Sequence, residues 1–353
     1  KAKDATIKLI PYFARANRGK SAMKVWIPVD DTHVAEPIDY VDEVIICDEA
    51  SEQAHGLKGT NMRTGSDLGW RDSDGGYIQY TLKVLPDKPM DLILKHWGSD
   101  AGNRRFNIYC GPRIISYDEI ENFKPNEYYF MHHALPYELT KGKTEVTIKM
   151  QSIDGSLVGG LYGVYTAISE NTPDDTTPVD YMTVALQKNR NDHHYQSNGE
   201  IGTFRQHTWA DGHGEEGQSW TMKVDPTHRN YLMIYYWGGE WDARSFDIYC
   251  DDIFVDSELL CNNDPGRFFY RTYIIPEEGT SGKDEVTIHL TSPQGTKTGG
   301  IFYAFMMAPE EVSDIEDIMA QQVSHQYYTL GGIRLDRPRH GINIIDGKKL
   351  LTR

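Results

Sequence analysis

Two sets of polar and aromatic residues recur along this chain: His55, Trp70, Asp72, Tyr80, Trp97 and Arg104, then His194, Trp209, Asp211, Trp220, Trp237 and Arg244. Residues of these types can do one job well. Indole and phenol rings stack on the apolar C–H face of a sugar ring, while Asp, Arg and His bond its hydroxyls. On that reading the ligand-binding residues are His55, Asp72, Trp97 and Arg104 in the first set and Asp211, Trp237, Trp241 and Arg244 in the second. Trp97, followed by Gly98, and Trp241, in the loop sequence GGEWDAR, are the best candidates for exposed platforms. Ala101 stands where Trp241 stands in the second set, so the two copies need not bind alike. The same residues admit a structural reading, in which each Arg pairs with an Asp and the His and Trp N–H groups find partners nearby. That reading expects buried Trp97 and Trp237, paired Arg104 and Arg244, and no aromatic platform on the surface.

Catalytic and metal chemistry find less to work with. No carboxylate pair sits in a motif that fixes its geometry, and no nucleophile elbow, HExxH, P-loop or dinucleotide fingerprint occurs. Trp70–Gly76 (WRDSDGG) has the carboxylate and glycine content of a calcium loop without the ligand series of an EF-hand, which leaves a structural Ca²⁺ as an alternative. The pairs His132-His133 and His193-His194 would point to opposite faces of a strand, which suits metal binding poorly. Cys47, Cys110, Cys250 and Cys261 show no zinc-site spacing and no disulfide-scaffold density. Cys110 and Cys250 each end a similar strand and read as small buried apolar residues, with a Cys250–Cys261 pairing left open.

The elements that must position these residues form a repeat. Asp91–Gly111 matches Tyr231–Asp251 with a constant shift of 140, and GKTEVTIKM from Gly142 meets GKDEVTIHL from Gly282 in the same register. Upstream, Trp70 and Asp72 meet Trp209 and Asp211 at 139, as His55 meets His194, which places one inserted residue in the Gly-rich stretch between Asp211 and Trp220. A surface loop tolerates such an insertion. YIQYTLKV, DLILKHW, RFNIYC and EVTIKM are short runs bounded by turn residues, the signature of strands. About eight strands per repeat predict an all-β fold of two tandem jelly-roll-like β-sandwiches with short flanking β segments. The polar stretch ISENTPDDTTP predicts a linker. The expected organisation is the end of a preceding β-domain at 1–35, sandwiches at 40–168 and 179–308 joined by a linker at 169–178, and a tail at 309–353.

The 353 residues are too many for one compact core. The formal charge of −16, with no basic stripe, disfavours nucleic acid and suits a neutral partner. No apolar run approaches the roughly 20 residues of a membrane span. The first residues read at once as strand, turn and strand, which predicts that a longer protein precedes them.

Three segments resemble known families. Leu9–Val29 resembles the last strands of the β-domain that follows the helical barrel in glycoside hydrolase family 127, the β-L-arabinofuranosidase-like enzymes, with departures at Phe13-Ala14-Arg15 and Lys20-Ser21-Ala22. SEQAHGLKGTNMRTG, WRDSDGGYIQYTLKV and WGSDAGNRRFNIYCG resemble the accessory domain of unknown function often appended to those enzymes. The second repeat has drifted, with Asp192-His193-His194 in place of the SExxH element. Tyr327–Leu351 resembles a Bacteroidetes C-terminal sorting tail, with Asn343 where an aromatic is usual. Together the resemblances imply a non-catalytic accessory region of a secreted, periplasmic or cell-surface glycoside hydrolase acting on plant glycans. They imply a carbohydrate ligand, an upstream catalytic domain in the same protein and no cofactor in this region. In the resembling enzymes three cysteines, two of them adjacent, and a glutamate hold zinc in the barrel. This chain has no adjacent Cys pair. Structural spacers or protein-interaction modules are the competing expectation, and an independent hydrolase a third.

Overall fold

The computed structural model describes residues 39–65 and 69–310, together with the backbone of four strands between 327 and 352. The expected end of a preceding domain at 1–35 lies outside the described residues. The fold is all-β, as predicted, and the helices among the described residues are four short ones.

The first module contains β1 (Tyr40–Val44), β2 (Lys58–Gly65), β3 (Trp70–Lys83), β4 (Met90–Trp97), β5 (Arg105–Cys110), β6 (Arg113–Glu119), β7 (Tyr128–Leu135), β8 (Glu145–Ser152), β9 (Leu157–Leu161) and β10 (Gly163–Ile168). They form a four-stranded sheet, β1-β10-β4-β7, and a second sheet, β2-β3-β8-β5-β6, to which β9 adds beside β3. The second module contains β11 (Thr176–Thr183), β12 (Gln196–Ser197), β13 (Ile201–Phe204), β14 (His207–Ala210), β15 (Gln218–Lys223), β16 (Tyr231–Trp237), β17 (Arg244–Cys250), β18 (Ile253–Leu260), β19 (Phe268–Ile274), β20 (Glu285–Thr291) and β21 (Ile301–Pro309). Its sheets are β13-β14-β21-β16-β19, with β11 beside β21, and β12-β15-β20-β17-β18. Alternation explains both cores. Along β5 and β8 every second residue is buried, and Phe106, Ile108, Ile148 and Met150 meet Leu92 and Leu94 of the opposite sheet. Phe246, Ile248, Ile288 and Leu290 do the same opposite Leu232 and Ile234. Farther on, β22 (Tyr327–Tyr328), β23 (Arg334–Leu335), β24 (Gly341–Ile345) and β25 (Lys348–Thr352) make a small sheet in the order β23-β22-β24-β25.

The helices sharpen the repeat. His55 caps α1 (Glu49–Ala54): its Nδ1 lies 2.6 Å from Ser51 O and its Nε2 3.3 Å from Asp42. After α3 (Gln187–Asp192), His193 makes the same contacts, 2.8 Å to Asn189 O and 3.3 Å to Asp180. The counterpart of His55 is therefore His193, not His194. His194 takes a positive φ of 48°, matching Gly56 at 60°, and so occupies the turn position after the cap. The insertion after Asp211 is where the sequence placed it. It splits the path of the single strand β3 into β14 and β15.

The stretch expected to be a linker is part of the packing. Thr176–Pro178 already belong to β11. Before them, Ser169 Oγ donates to Asp91 at 2.6 Å, and Asn171 Nδ2 donates to Tyr270 O at 2.9 Å. Around this crossing lies a third apolar cluster: Ala134 and Tyr137 of module 1 with Met233, Tyr235, Phe268, Tyr270, Phe302, Phe305 and Met307 of module 2. The outer face of β16, β19 and β21 thus packs against β7 and against α2 (Tyr137–Thr140). The rings of Tyr137 and Phe305 meet edge to face at 5.6 Å, and Tyr235 stacks on Phe268 at 5.3 Å. Polar contacts cross the same seam. His207 Nε2 lies 3.3 Å from Ser116 Oγ, which lies 2.9 Å from His133 Nδ1. Inside module 1, Asp118 is fully buried, with His96 Nε2 at 3.1 Å and His133 Nε2 at 3.5 Å. Burial opposes its ionisation, but the two histidines hold its carboxyl well below the usual range. Module 2 builds the corresponding buried group from Tyr236, Glu258 and Tyr273, with the Tyr273 hydroxyl donating to Glu258 at 2.8 Å.

Two predictions follow from the seam. Phe268→Ala should destabilise the protein by about 3 kcal/mol or more, the usual cost of emptying a buried Phe site. Tyr128→Ala, at the matching position of module 1, should cost under about 1 kcal/mol because 46% of Tyr128 is exposed. Urea midpoints with unchanged slopes would measure both. The second prediction concerns acid. Burial, then His133 and Arg205, depress His207 from the ordinary 6.5 to about 3. The groups facing it are Ser116, His133, Arg205, Tyr235, Phe268 and Phe302. Below about pH 6.5 the unfolded chain takes up a proton that the folded chain refuses until about pH 3, so stability falls as pH falls. The slope from this group is at most about 1.4 kcal/mol per pH unit. Urea midpoints between pH 7 and pH 4 should show a shallower fall in His207→Gln than in the parent protein.

Candidate functional site

The recurring residues gather where β4 and β16 run out. Each of these strands ends in Trp-Gly, and the glycine is required by close approach. A Cβ on Gly98 would lie 1.9 Å from Lys124 O, and one on Gly238 would lie 2.1 Å from Asp264 O. The next loop turns back here, leaving Trp97 and Trp237 half-buried at the rim.

In module 1 the rim is an aromatic cluster. Trp97 and Tyr128 contact edge to face at 4.8 Å, and Tyr128 and Tyr162 do so at 5.0 Å. Lys95 Nζ lies 4.6 Å from the centre of the Tyr128 ring. Behind the rings, Arg104 donates to Gly159 O at 2.9 Å and lies 3.7 Å from Asp72. Asp72 is held mainly by Arg63, which donates to both of its oxygens at 2.9 Å. The calcium-loop stretch Trp70–Gly76 is therefore strand, with its central carboxylate facing a guanidinium. Between rings and guanidinium sits Asp100. No hydrogen bond or ion pair engages its side chain among the described residues, and its Oδ2 would be 2.7 Å from a Cβ on Gly160. Burial, and to a lesser degree Asp72, raise its pKa, while Arg104 and His96 oppose the rise. The Tyr162 phenol beside it is pushed up to about 12, by burial first and then by the Asp100 charge.

Module 2 builds the same frame and closes it. Arg244 donates to Asp211 at 2.9 Å and lies 3.0 Å from Glu240, which stands at the position of Asp100. Burial raises the pKa of Glu240 as well. Phe268 and Phe302 replace Tyr128 and Tyr162 and are 5% and 2% exposed, because the seam covers them. A phenylalanine at these places leaves no hydroxyl to be satisfied under the seam. The β13–β14 hairpin covers Trp237 further: Phe204 contacts it at 4.8 Å, and the Arg205 guanidinium lies 5.2 Å from its ring centre. Trp241 escapes this enclosure and is 85% exposed.

The structure thus brings together Asp72, Trp97 and Arg104 in one module and Asp211, Trp237 and Arg244 in the other. His55 belongs to the α1 cap instead. Sequence reasoning passed over Asp100, Tyr128 and Tyr162; the signal available was the pairing of two tyrosines with two phenylalanines in the 140-residue register. It also passed over a cleft of about 510 Å³ beside α1, lined by Cys47, Glu52, Gln53, Thr64 and Arg71. There Arg71 holds the buried Glu52 by two hydrogen bonds of 2.7 and 2.6 Å, and Tyr80 adds a third at 3.0 Å. Module 2 has Arg190, Ala210 and Trp220 at these three positions, so the ion pair is lost and the Trp220 N–H has no partner among the described residues. All four cysteines are free. Burial pushes the thiols of Cys110 and Cys250 up to about 11 and about 12, as befits small core residues. Among the described residues no three His, Cys, Asp or Glu side chains group as a metal site, and no helix is long and apolar enough to cross a membrane.

Residues 1–28 match the glycoside hydrolase family 127 C-terminal domain. No curated protein matches the chain. Among solved structures, the ANX1 ectodomain from Arabidopsis thaliana is 12% identical, with a TM-score of 0.31 over 74% of this chain and 91% of that one. The tandem CBM51 modules of a family 98 glycoside hydrolase from Streptococcus pneumoniae are 10% identical, with a TM-score of 0.21 over 68% and 84%. Residues 39–166 and 175–307 each match one family model over the two sandwiches just described, and the chain therefore belongs to DUF6805, a family of unknown function, as a tandem pair.

Proposed function

We propose that this chain is a non-catalytic accessory region of a secreted, β-L-arabinofuranosidase-like glycoside hydrolase, and that module 1 binds plant glycan through the Trp97–Tyr128–Tyr162 rim. The match of residues 1–28 to a glycoside hydrolase C-terminal domain supports the setting. One observation carries the binding: in module 1 the Trp97–Tyr128–Tyr162 rim is partly open and adjoins an unpartnered carboxylate, whereas in module 2 the phenylalanines that match Tyr128 and Tyr162 are buried and only Trp237 stays half-buried. Half-exposed rings offer stacking surface to a sugar's C–H face, and Asp100 offers an acceptor for its hydroxyls. Trp241 gives module 2 a separate, protruding ring. Hydrolysis in this scheme belongs to an upstream domain, and the tail at 309–353 is the sorting segment that carries the protein out of the cell.

The spacer or protein-interaction reading has its own support, because module 2 spends the same sheet face on packing against its neighbour. Affinity electrophoresis separates the two. Gels containing arabinan, pectin or arabinoglycoprotein should retard the chain and shift its tryptophan fluorescence. Tyr128→Ala should weaken the arabinan affinity at least about tenfold, the equivalent of 1.4 kcal/mol. Trp241→Ala should keep most of the retardation. No retardation in any gel, with unchanged fluorescence, would leave the spacer reading in place.

A further inference from the structure

We propose that the cleft beside α3 in module 2 binds a carboxylate-bearing sugar, a uronic acid residue, through Arg190. This site is separate from the aromatic rim of module 1 and does not depend on that rim binding glycan.

The repeat makes the cleft twice. The cavity beside α1 has a counterpart of about 400 Å³ in module 2, whose lining includes Gln187, Arg190, Asn191, Tyr195, Gln196 and Ile201. On the helix side, Glu49, Glu52 and Gln53 of the first cleft match Gln187, Arg190 and Asn191 of the second at a shift of 138, the shift that also aligns the cap histidines His55 and His193. The far walls match through strand pairing: Thr64 lies across from Arg71, and Ile201 across from Ala210. Both volumes fall within the range of small-molecule sites.

The two clefts differ in charge. In module 1, Arg71 commits its Nε and Nη2 to Glu52, and Glu49 adds a second carboxylate to the lining. In module 2 no carboxylate lines the cleft, and a half-buried arginine stands where Glu52 stood. Arg190 donates to neutral acceptors, Val184 O and, at 2.6 Å, Gln187 Oε1; among the described residues no ion pair engages it and its Nε has no hydrogen bond. Carboxylates on the flanking segments face other cations: Asp192 lies 2.5 Å from Lys188, Glu200 3.9 Å from Lys297 and Asp211 2.9 Å from Arg244. A guanidinium without a counter-ion, partly withdrawn from water in a chain of formal charge −16, is suited to a carboxylate. The rest of the lining narrows that carboxylate to a sugar acid. The amide nitrogen of Asn191, whose oxygen accepts from Gln187 at 2.8 Å, and the Gln196 amide have no partners among the described residues and can bond ring hydroxyls. Tyr195 replaces Leu57; its hydroxyl donates to Gln218 at 3.0 Å, and its ring with the Ile201 side chain gives apolar surface for a sugar's C–H face.

The test is titration calorimetry of the full chain at pH 7 and constant salt with three probes: trigalacturonate, its neutral methyl ester and triglutamate. Trigalacturonate should bind, with the ester and triglutamate each at least about tenfold weaker. Arg190→Gln should lose about tenfold in affinity for the acid, and Arg190→Lys should keep part of it. Lys188→Ala makes the same charge change on α3 at a side chain that is 86% exposed and outside the cleft, and should stay within about twofold of the parent. Thermal unfolding midpoints matching the parent's would assign the loss in Arg190→Gln to the site; should that variant fail to fold, the ratio of acid to ester affinity in the parent decides. Ester binding as tight as the acid, or equal losses in Arg190→Gln and Lys188→Ala, would overturn the inference. Triglutamate binding as tight as trigalacturonate would overturn the sugar as ligand. Absence of trigalacturonate binding would overturn the inference outright and leave the module 1 rim to be judged by its own arabinan gels.

Discussion

The packing of module 2's aromatic sheet face against β7 and α2 of module 1 governs the rest of the structure. Tyr235, Phe268, Tyr270, Phe302 and Phe305 would form a large exposed apolar patch if the modules separated, and such patches are rarely left in water. Burying them ties the two sandwiches into one body and orders the connection from Ser169 to Asp175 along the seam. It also decides which copy of the repeated frame stays open. Phe268 and Phe302, beside the end of β16, are covered by the seam, and the rim that ends β4 keeps its tyrosine hydroxyls and its solvent-facing ring.

The two modules differ in the face that module 1 turns to the seam. Module 1 presents Ala134 and Tyr137 to its neighbour, and module 2 carries Ile274 and Glu277 at the matching places. Ile274 is 58% exposed, and a carboxylate at 277 would be costly to bury against another aromatic face. Divergence between the copies is therefore not loss of pattern. At Glu52, Arg71 and Tyr80, replaced by Arg190, Ala210 and Trp220, a buried ion pair has been exchanged for a bulkier apolar ring. At His96, Asp118 and His133, replaced by Tyr236, Glu258 and Tyr273, one buried polar group has been rebuilt from different residues.

The fold was largely legible in the sequence because strand alternation and the 140-residue register are local signals. The register slipped at the first helix, where His193 and not His194 matches His55, since a cap is identified by its hydrogen bonds and adjacent histidines look alike in sequence. The site was half legible. Asp72, Trp97 and Arg104 recur in both copies and drew notice for that reason. Asp100, Tyr128 and Tyr162 change between copies, and a search for recurrence passes over what differs. The seam was not legible at all: polar residues such as Ser169 and Asn171 read as linker, although their hydrogen bonds to Asp91 and Tyr270 hold them in place.

The central claim is that two copies of one frame differ in which aromatic face meets solvent. Residue-resolved hydroxyl-radical footprinting of the intact chain tests it most directly. Tyr128 should be oxidised readily, and Phe268 and Phe302, at the positions matching Tyr128 and Tyr162, should be strongly protected until the protein unfolds. Equal oxidation of Tyr128 and Phe268 in the folded protein would contradict the account, because it would mean that the seam is open and the two rims are alike.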